Sequence, residues 1–265
     1  GNAASRNHVF GASARQAVEE SRAKIARLIG ASEPGEIIFT SGATESNNLA
    51  LKGLSEMYRD RGNHIITSVI EHKSVLDTCK FLETVGFRVT YLPVNREGLI
   101  NLEALRRAIT EKTILISIMH ANNEIGVIQP VTEIGKIARE RNVFFHCDAV
   151  QAAGKVPLNV QAMNMDLVSL SAHKMYGPKG IGALYVRRRN PRVRLAPLIH
   201  GGGHEQGLRS GTLNVAGIVG FGRAAEIAAS EMASEANRLF HLREKLREGI
   251  LSQLPHVSVN GSLAN

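Results

Sequence analysis

Residues 165–182 read "MDLVSLSAHKMYGPKGIG", an apolar run that passes directly into a polar, glycine-rich turn. The run has the length and composition of a buried strand, and Gly177 and Pro178 indicate the turn that follows it. Lys174 lies between the two, directly after Ser171 and His173. A lysine at this point, on a backbone fixed by turn residues, is predicted to have a defined position rather than a solvated one.

Similar β-rich runs precede this one and alternate with helical patterns. The six runs cover residues 36–40, 64–68, 87–92, 113–118, 142–147 and 166–170. This alternation predicts an α/β fold with a mostly parallel sheet covered by helices on both faces. From about residue 213 a long helical region begins, and "HVSVNG" (256–261) is strand-like. We therefore predict a large domain over 1–212, and over 213–265 a linking long helix and the beginning of a small C-terminal domain.

Composition is that of a globular protein, with 43% hydrophobic and 21% charged residues in 265. No apolar run approaches the ~20 residues of a membrane span and no leader opens the chain, so we expect a cytoplasmic protein without membrane contact. The chain begins with Gly1 rather than Met, which suggests a piece of a longer protein. Two cysteines are too few for a disulfide framework or a cysteine-rich metal site, and no metal is expected.

A net charge of +8 raises the question of nucleic acid binding. The basic residues are mostly spread over helices, and the one dense cluster, "RRRNPRVR", has no interleaved aromatic residues, so nucleic acid is not expected. Two interpretations of the cluster stay open: a solvated hairpin edge, or a docking site for an acidic protein. The cluster contains Arg187, Arg188, Arg189, Arg192 and Arg194.

Polar side chains follow several of the predicted strands. Thr44 in "SGATES" opens a helix after the first strand, which suits either a phosphate cup or a plain N-cap. His72 follows the second strand, Asn122 and Asn123 the fourth, and Asp148 the fifth, with Gln151 shortly after it. Ligands of open parallel sheets bind beyond the carboxyl ends of the strands, so these groups are expected at one edge.

A phosphate cup, a carboxylate that needs a cation, a histidine and a lysine together match the needs of pyridoxal phosphate (PLP). Its aldehyde forms a Schiff base with a lysine, its pyridine nitrogen is kept protonated by a carboxylate, and its phosphate needs donors. Lys73, Lys155 and Lys179 compete for the Schiff-base role. Lys174 is favoured because Ser171 and His173 are adjacent donors.

Six motifs in order resemble cysteine desulfurases of the NifS/IscS type, within the class-V aminotransferases and the fold-type I PLP-dependent transferases. They are "TSGATESNN", "EHKSVLDTC", "SIMHANNEIGVIQP", "HCDAVQAAGK", "SAHKMYGPKGIGALYVRR" and "HGGGHEQGLRSGT". The resemblance runs almost from end to end of the chain.

The resemblance implies a role for each site residue. Lys174 would form the Schiff base, His72 would stack on the cofactor and assist proton transfer, and Asp148 would hold the pyridine nitrogen. The other implied cofactor contacts are Gln151 to the phenolic oxygen, Ala43, Thr44, Ser171 and His173 to the phosphate, Asn123 near substrate and ring, and Thr212 to the cofactor of a partner subunit. A homodimer follows from the last contact, and Arg209 is expected to assist in the same loop.

The implied activity removes sulfur from L-cysteine to give L-alanine and an enzyme persulfide, for iron–sulfur cluster assembly and other sulfur transfer. Implied partners are sulfur acceptor or scaffold proteins and an acidic frataxin-like protein at the arginine cluster. The family's nucleophilic cysteine and a substrate-carboxylate arginine lie outside this sequence. Cys79 and Cys147 both follow the periodicity of buried positions, so residues 1–265 are not expected to complete desulfuration. Selenocysteine lysis, another aminotransferase-type reaction, or a non-catalytic dimerising and docking module stay open as alternatives.

Overall fold

A seven-stranded sheet forms the centre of the computed structural model, which describes residues 1–5 and 7–263. The strands are β1 Ile37–Thr40, β2 His64–Ser68, β3 Arg88–Leu92, β4 Thr113–Ser117, β5 Phe144–Asp148, β6 Leu167–Ser171 and β7 Gly182–Val186. Their order across the sheet is β1-β7-β6-β5-β4-β2-β3. Pairs among β2 to β6 are parallel, whereas β7 is antiparallel to both neighbours. All six predicted strands are present, and β7 was not predicted.

Helices surround the sheet. They are α1 Val9–Ile29, α2 Ala43–Asn48, α3 Leu54–Met57, α4 Lys73–Thr84, α5 Leu102–Ala108, α6 Val131–Glu140 and α7 Val215–Gln253, with a π turn at Leu49–Gly53 between α2 and α3. Short 3-10 turns lie at Pro34–Glu36, Ala172–Met175 and Glu205–Gly207. No helix in the described ranges is long and apolar enough to cross a bilayer.

Two apolar clusters lie on the two faces of the sheet. On one face α1, α6 and the start of α7 contribute Ile25, Ile134 and Phe221, and Cys147 is buried among them. On the other face α3 and α4 bury residues such as Leu54, and Cys79 is buried there. The prediction of a mostly parallel sheet with helices on both faces is therefore confirmed, as is the core position of both cysteines.

The C-terminal part of α7 differs from its beginning. Several apolar side chains there are exposed, among them Phe240 and Leu246. The predicted strand at 256–261 is wrong for the described residues: this segment has no regular secondary structure, and Val257 and Val259 are exposed. An extended segment becomes a strand only when another strand satisfies its backbone groups, and none pairs with it here. The domain boundary at 212/213 stays a prediction.

Candidate active site

A cavity of about 550 Å³ opens at the carboxyl ends of the parallel strands. Its lining contains nine of the ten predicted cofactor-binding residues: Ala43, Thr44, His72, Asn123, Asp148, Gln151, Ser171, His173 and Lys174. Glu45, Met119 and Lys179 also line it. Thr212 does not, and its side chain is exposed in the loop before α7. Strands far apart in sequence thus bring the predicted set together.

Asp148 is a buried carboxylate at the end of β5. Asn47 Nδ2 donates to its Oδ2 at 2.8 Å, and the backbone N–H of Val150 donates to its Oδ1 at 3.1 Å. Burial raises the pKa of Asp148, and these two hydrogen bonds and the charge of His72 oppose the rise. A further cation or hydrogen-bond donor would therefore stabilise the ionised carboxylate.

Lys174 lies in the 3-10 turn that follows β6. Tyr176 closes this turn in the left-handed region with a φ of 62°, and the N–H of Gly177 donates to Ala172 O at 2.9 Å. The prediction of a fixed backbone is confirmed. Lys174 and Lys179 are the lysines among the cavity-lining residues. Lys155 instead donates to Gln151 Oε1 at 3.0 Å.

Ser171 and His173 form a polar pair beside the lysine. Ser171 Oγ and His173 Nδ1 are 2.9 Å apart. Desolvation lowers the pKa of His173, and the positive charges of Lys174 and Lys179 lower it further. A neutral, donor-capable imidazole among two ammonium groups suits an anionic ligand.

The turn before α2 is the segment predicted to form a phosphate cup, and it is called the cup below. Gly42 is the N-cap, with a φ of 151° that favours glycine, and no side chain caps the helix. Thr44 is therefore inside the helix, and the alternative that it is a plain N-cap is wrong. Gly182 of β7 lies so close that a Cβ there would be 2.7 Å from Gly42 Cα. The cup is thus packed directly on the sheet, and no side chain of the described residues caps the first N–H groups of α2.

Glu45 and Arg209 connect this cup to the loop before α7. Arg209 Nε donates to Glu45 Oε1 at 2.9 Å, and the N–H of Ser41 donates to Glu45 Oε2 at 2.8 Å. Burial tends to raise the pKa of Glu45, but the hydrogen bonds from Arg209 and Ser41 lower it overall. The pair holds Arg209 at the edge of the cavity. The family resemblance implied that Arg209 assists Thr212 in the same loop.

Glu71 is a buried carboxyl group that the sequence reasoning missed. Its Oε1 accepts from Ser68 Oγ at 2.6 Å and from the N–H of Met119 at 2.9 Å, while its buried Oε2 has no hydrogen-bond partner in the described part of the chain. Burial raises the pKa of Glu71 to about 8, with the charge of Asp148 acting in the same direction and the two hydrogen bonds against it. Glu71 links the turn that carries His72 to the end of β4.

Glu71→Gln is expected to increase stability relative to the wild type by an amount that grows with pH. Between pH 4.5 and about 8 the folded protein holds a proton at Glu71 that the unfolded chain has lost. The protonated Glu71 therefore contributes its full stabilisation below pH 4.5. As pH rises to about 8 the free energy of unfolding of the wild type falls, by at most about 1.4 kcal/mol per pH unit.

Glutamine cannot titrate and removes this dependence. Urea unfolding of both proteins at pH 5, 6 and 7 measures the difference, and exposed Glu111→Gln is the control. A pH-independent difference would show that Glu71 is ionised in the folded protein.

The arginine cluster is only partly a surface. Arg187 is buried: Nε donates to Met165 O at 3.0 Å, Nη2 donates to Val160 O at 2.9 Å, and Nε lies 3.3 Å from Asp166 Oδ1. Its inclusion in a docking patch is wrong, because it satisfies a buried carboxylate and two carbonyls. Arg188, Arg189, Arg192 and Arg194 line a groove of about 670 Å³ with apolar residues such as Ile38 and Leu195.

Known proteins resemble this chain over its whole length. The aminotransferase class-V family profile matches residues 1–265. The chain belongs to the class-V aminotransferase family. The chemistry of this family depends on PLP, which is therefore the cofactor of this class-V aminotransferase. The buried Asp148, the uncapped turn at Gly42 and Lys174 in one cavity fit that cofactor in charge and donor chemistry.

Individual relatives are cysteine desulfurases by name. Cysteine desulfurase IscS of Anaeromyxobacter sp. (strain Fw109-5) is 59% identical over 265 residues, which are 100% of this chain and 65% of that protein. The IscS of Rickettsia bellii (strain OSU 85-389) is 59% identical over 98% of this chain and 63% of its own length. The chain thus spans about 65% of the first of these curated relatives.

Solved structures share the fold. A "NifS-like protein" superposes with a TM-score of 0.91 and 47% identity, over 95% of this chain and 68% of that one. "SspA in complex with cysteine" superposes with a TM-score of 0.81 and 51% identity, over 85% and 64%. This class-V aminotransferase therefore has the fold-type I architecture predicted from its motifs. In the described residues no cluster of three or more His, Cys, Asp or Glu could hold a metal ion.

Proposed function

We propose that this chain is the PLP-binding part of a cysteine desulfurase that releases sulfur from L-cysteine. One observation carries the proposal: Lys174, Asp148 and the Gly42 turn line one cavity in a chain that is 59% identical to proteins named cysteine desulfurase IscS. A cytoplasmic role in iron–sulfur cluster assembly is part of the proposal.

We propose the following roles for the cavity residues. When bound, PLP supplies an electron sink for chemistry at the substrate Cα. Lys174 Nζ would hold the cofactor covalently and would take the Cα proton, and Asp148 would keep the pyridine nitrogen protonated. The remaining proposed contacts are His72 against the ring, Gln151 at its phenolic oxygen, Asn123 near the substrate, and Ala43, Thr44, Ser171 and His173 at the phosphate.

Breaking the C–S bond also needs a thiolate at the substrate sulfur, and neither cysteine is suited to supply it. Cys79 and Cys147 are fully buried and do not line the cavity. Burial raises the pKa of Cys79 to about 12 and that of Cys147 well above its usual value. A reactive thiol is exposed and has a lowered pKa, so we propose that the nucleophile comes from outside residues 1–265.

Alanine release from L-cysteine in the presence of a reductant tests the activity. We expect the complete protein with Cys147→Ser to retain it, and residues 1–265 alone to lack it. Alanine production by residues 1–265 that Cys147→Ser abolishes would contradict the assignment of both cysteines. Faster turnover of selenocysteine, or an amino-group transfer product instead of alanine, would favour the alternative PLP reactions. PLP binding without any turnover of the complete protein would favour a docking module.

A homodimer is proposed because Thr212 lies outside the cavity of its own chain. Its loop is held to the chain by Glu45 and Arg209 while the Thr212 side chain remains exposed. Such a loop suits a contact with the cofactor of a second copy.

An acidic partner, a frataxin-like protein or a sulfur acceptor, is proposed at the groove lined by Arg188, Arg189, Arg192 and Arg194. We expect Arg192→Glu combined with Arg194→Glu to slow association at least tenfold at low salt, because exposed charges act mainly on encounter. Stopped-flow binding at two salt concentrations measures this, with exposed Arg243→Glu on α7 as the control. Unchanged association and salt dependence would mark the groove as a solvated edge.

A further inference from the structure

We propose that Asn47 and Ser74 are positioning residues that fix His72 in the tautomer with its hydrogen on Nε2 and connect it to Asp148. The functional meaning of this inference depends on the function proposed above. The contacts among these four residues determine where the hydrogens lie. A histidine at a strand-to-helix turn is usually a cap or a packed ring, but the contacts of Asn47 were not foreseen from the sequence.

The side chain of His72 caps the N-terminus of α4. His72 is the N-cap, and its Nδ1 lies 3.1 Å from the backbone nitrogen of Ser74. A backbone N–H can only donate, so Nδ1 accepts and carries no hydrogen. In the neutral ring the hydrogen is therefore on Nε2.

The hydroxyl group of Ser74 lies between Asn47 and His72. Asn47 Nδ2 lies 2.8 Å from Ser74 Oγ and also 2.8 Å from Asp148 Oδ2. The proposed function requires an ionised Asp148, and an ionised carboxylate only accepts. The NH₂ end of Asn47 then faces it, and the second hydrogen of that group is donated to Ser74. The Ser74 hydroxyl hydrogen is left for His72 Nδ1, which is 2.8 Å away. A second donor thus points at the same ring nitrogen.

The contacts form a chain of three hydrogen bonds from Asp148 through Asn47 and Ser74 to His72. It joins the end of β5, the helix α2 and the start of α4. Asn47 and Ser74 are buried, so solvent does not compete for these bonds. A change at Asp148 is thereby expected to alter the hydrogen bond at His72 Nδ1, although the two side chains share no hydrogen bond.

The other ring nitrogen of His72, Nε2, is free of the cap. Nε2 of His72 has no hydrogen-bond partner in residues 1–5 and 7–263, and the ring lines the cavity. It therefore presents an N–H donor to whatever the cavity holds. In the proposed reaction the neutral His72 ring donates a hydrogen bond from Nε2, and removal of the Cα proton is left to Lys174 Nζ.

The test is ¹⁵N NMR of the histidine rings in the complete protein, with and without PLP, at pH 8. His72→Gln identifies the signals of this ring among those of the other histidines. We expect an unprotonated Nδ1 and a protonated Nε2. A hydrogen on Nδ1 would overturn the inference.

Two variants test the connection to Asp148. Asn47→Ala and Ser74→Ala are each expected to shift the Nδ1 resonance, whereas Asn48→Ala is not, because Asn48 donates to Thr44 O outside the chain of bonds. Ser74→Ala keeps the backbone cap and so remains informative if Asn47→Ala does not fold. An unchanged Nδ1 resonance in the folded variants would refute the connection. If the wild type does not bind PLP, the proposed function is contradicted. The inference about the tautomer is still tested in that case, because the tautomer is also measured without cofactor.

Discussion

Asp148→Asn is expected to lower kcat for alanine production by about a hundredfold to a thousandfold, the range found when one preorganised electrostatic contact is removed. A neutral amide cannot keep the pyridine nitrogen protonated. It also has one acceptor oxygen for two donors, since Asn47 Nδ2 and the N–H of Val150 donate to different oxygens of Asp148. Lys174 and the phosphate contacts are unchanged, so the cofactor should remain bound.

Steady-state kinetics and the cofactor absorbance of the complete protein measure the two effects separately. Asp60→Asn, at an exposed position outside the cavity, is the control and should leave both unchanged. Near-normal turnover in Asp148→Asn would show that another group serves the pyridine nitrogen.

Arg22→Leu is expected to lower the free energy of unfolding by about 3–5 kcal/mol, as is usual when one partner of a buried ion pair is removed. Arg22 Nη1 donates to Glu205 Oε2 and Nη2 to Glu205 Oε1, both at 2.8 Å, with side chains 7% and 2% exposed. Glu205 also accepts from the N–H of Phe39 at 2.7 Å. Leucine would leave this carboxylate buried without its cation.

Urea unfolding of the cofactor-free protein measures the loss. Arg238→Leu breaks an ion pair with Glu235 that is exposed on α7, and it should give no measurable change. Equal effects of the two substitutions would show that the Arg22–Glu205 pair is solvated in solution. The pair fastens the loop that carries Arg209 and Thr212 to α1 and β1, so Arg22→Leu should also weaken the proposed dimer.

The sheet was largely predictable from the sequence, because its buried parallel strands are short apolar runs separated by helical patterns. β7 was missed since strict alternation expects a helix after β6. Residues 172–181 are too few for a crossover helix, and a connection of that length returns the chain antiparallel. The prediction of a strand at 256–261 was wrong for the opposite reason: its pattern is that of a strand, but no strand among residues 1–5 and 7–263 pairs with it.

The cavity residues were predictable because parallel strands bring their carboxyl ends to one edge. The residues that hold them in place were not: Asn47 contacts Asp148 and Glu71 contacts Met119, and nothing in the local sequence indicates partners that are so distant along the chain. Arg187 was misassigned because a run of charges is normally solvated. Its burial depends on Asp166, whose position next to β7 only the sheet order reveals.

The attachment of PLP to Lys174 is the central claim, and borohydride reduction followed by peptide mapping tests it most directly. The complete protein is reduced with PLP bound, digested, and the labelled lysine is identified by mass. We predict a label on Lys174 alone, at the end of β6 beside Ser171 and His173. A label on Lys179, which lines the same cavity, or on Lys73 would contradict the assignment.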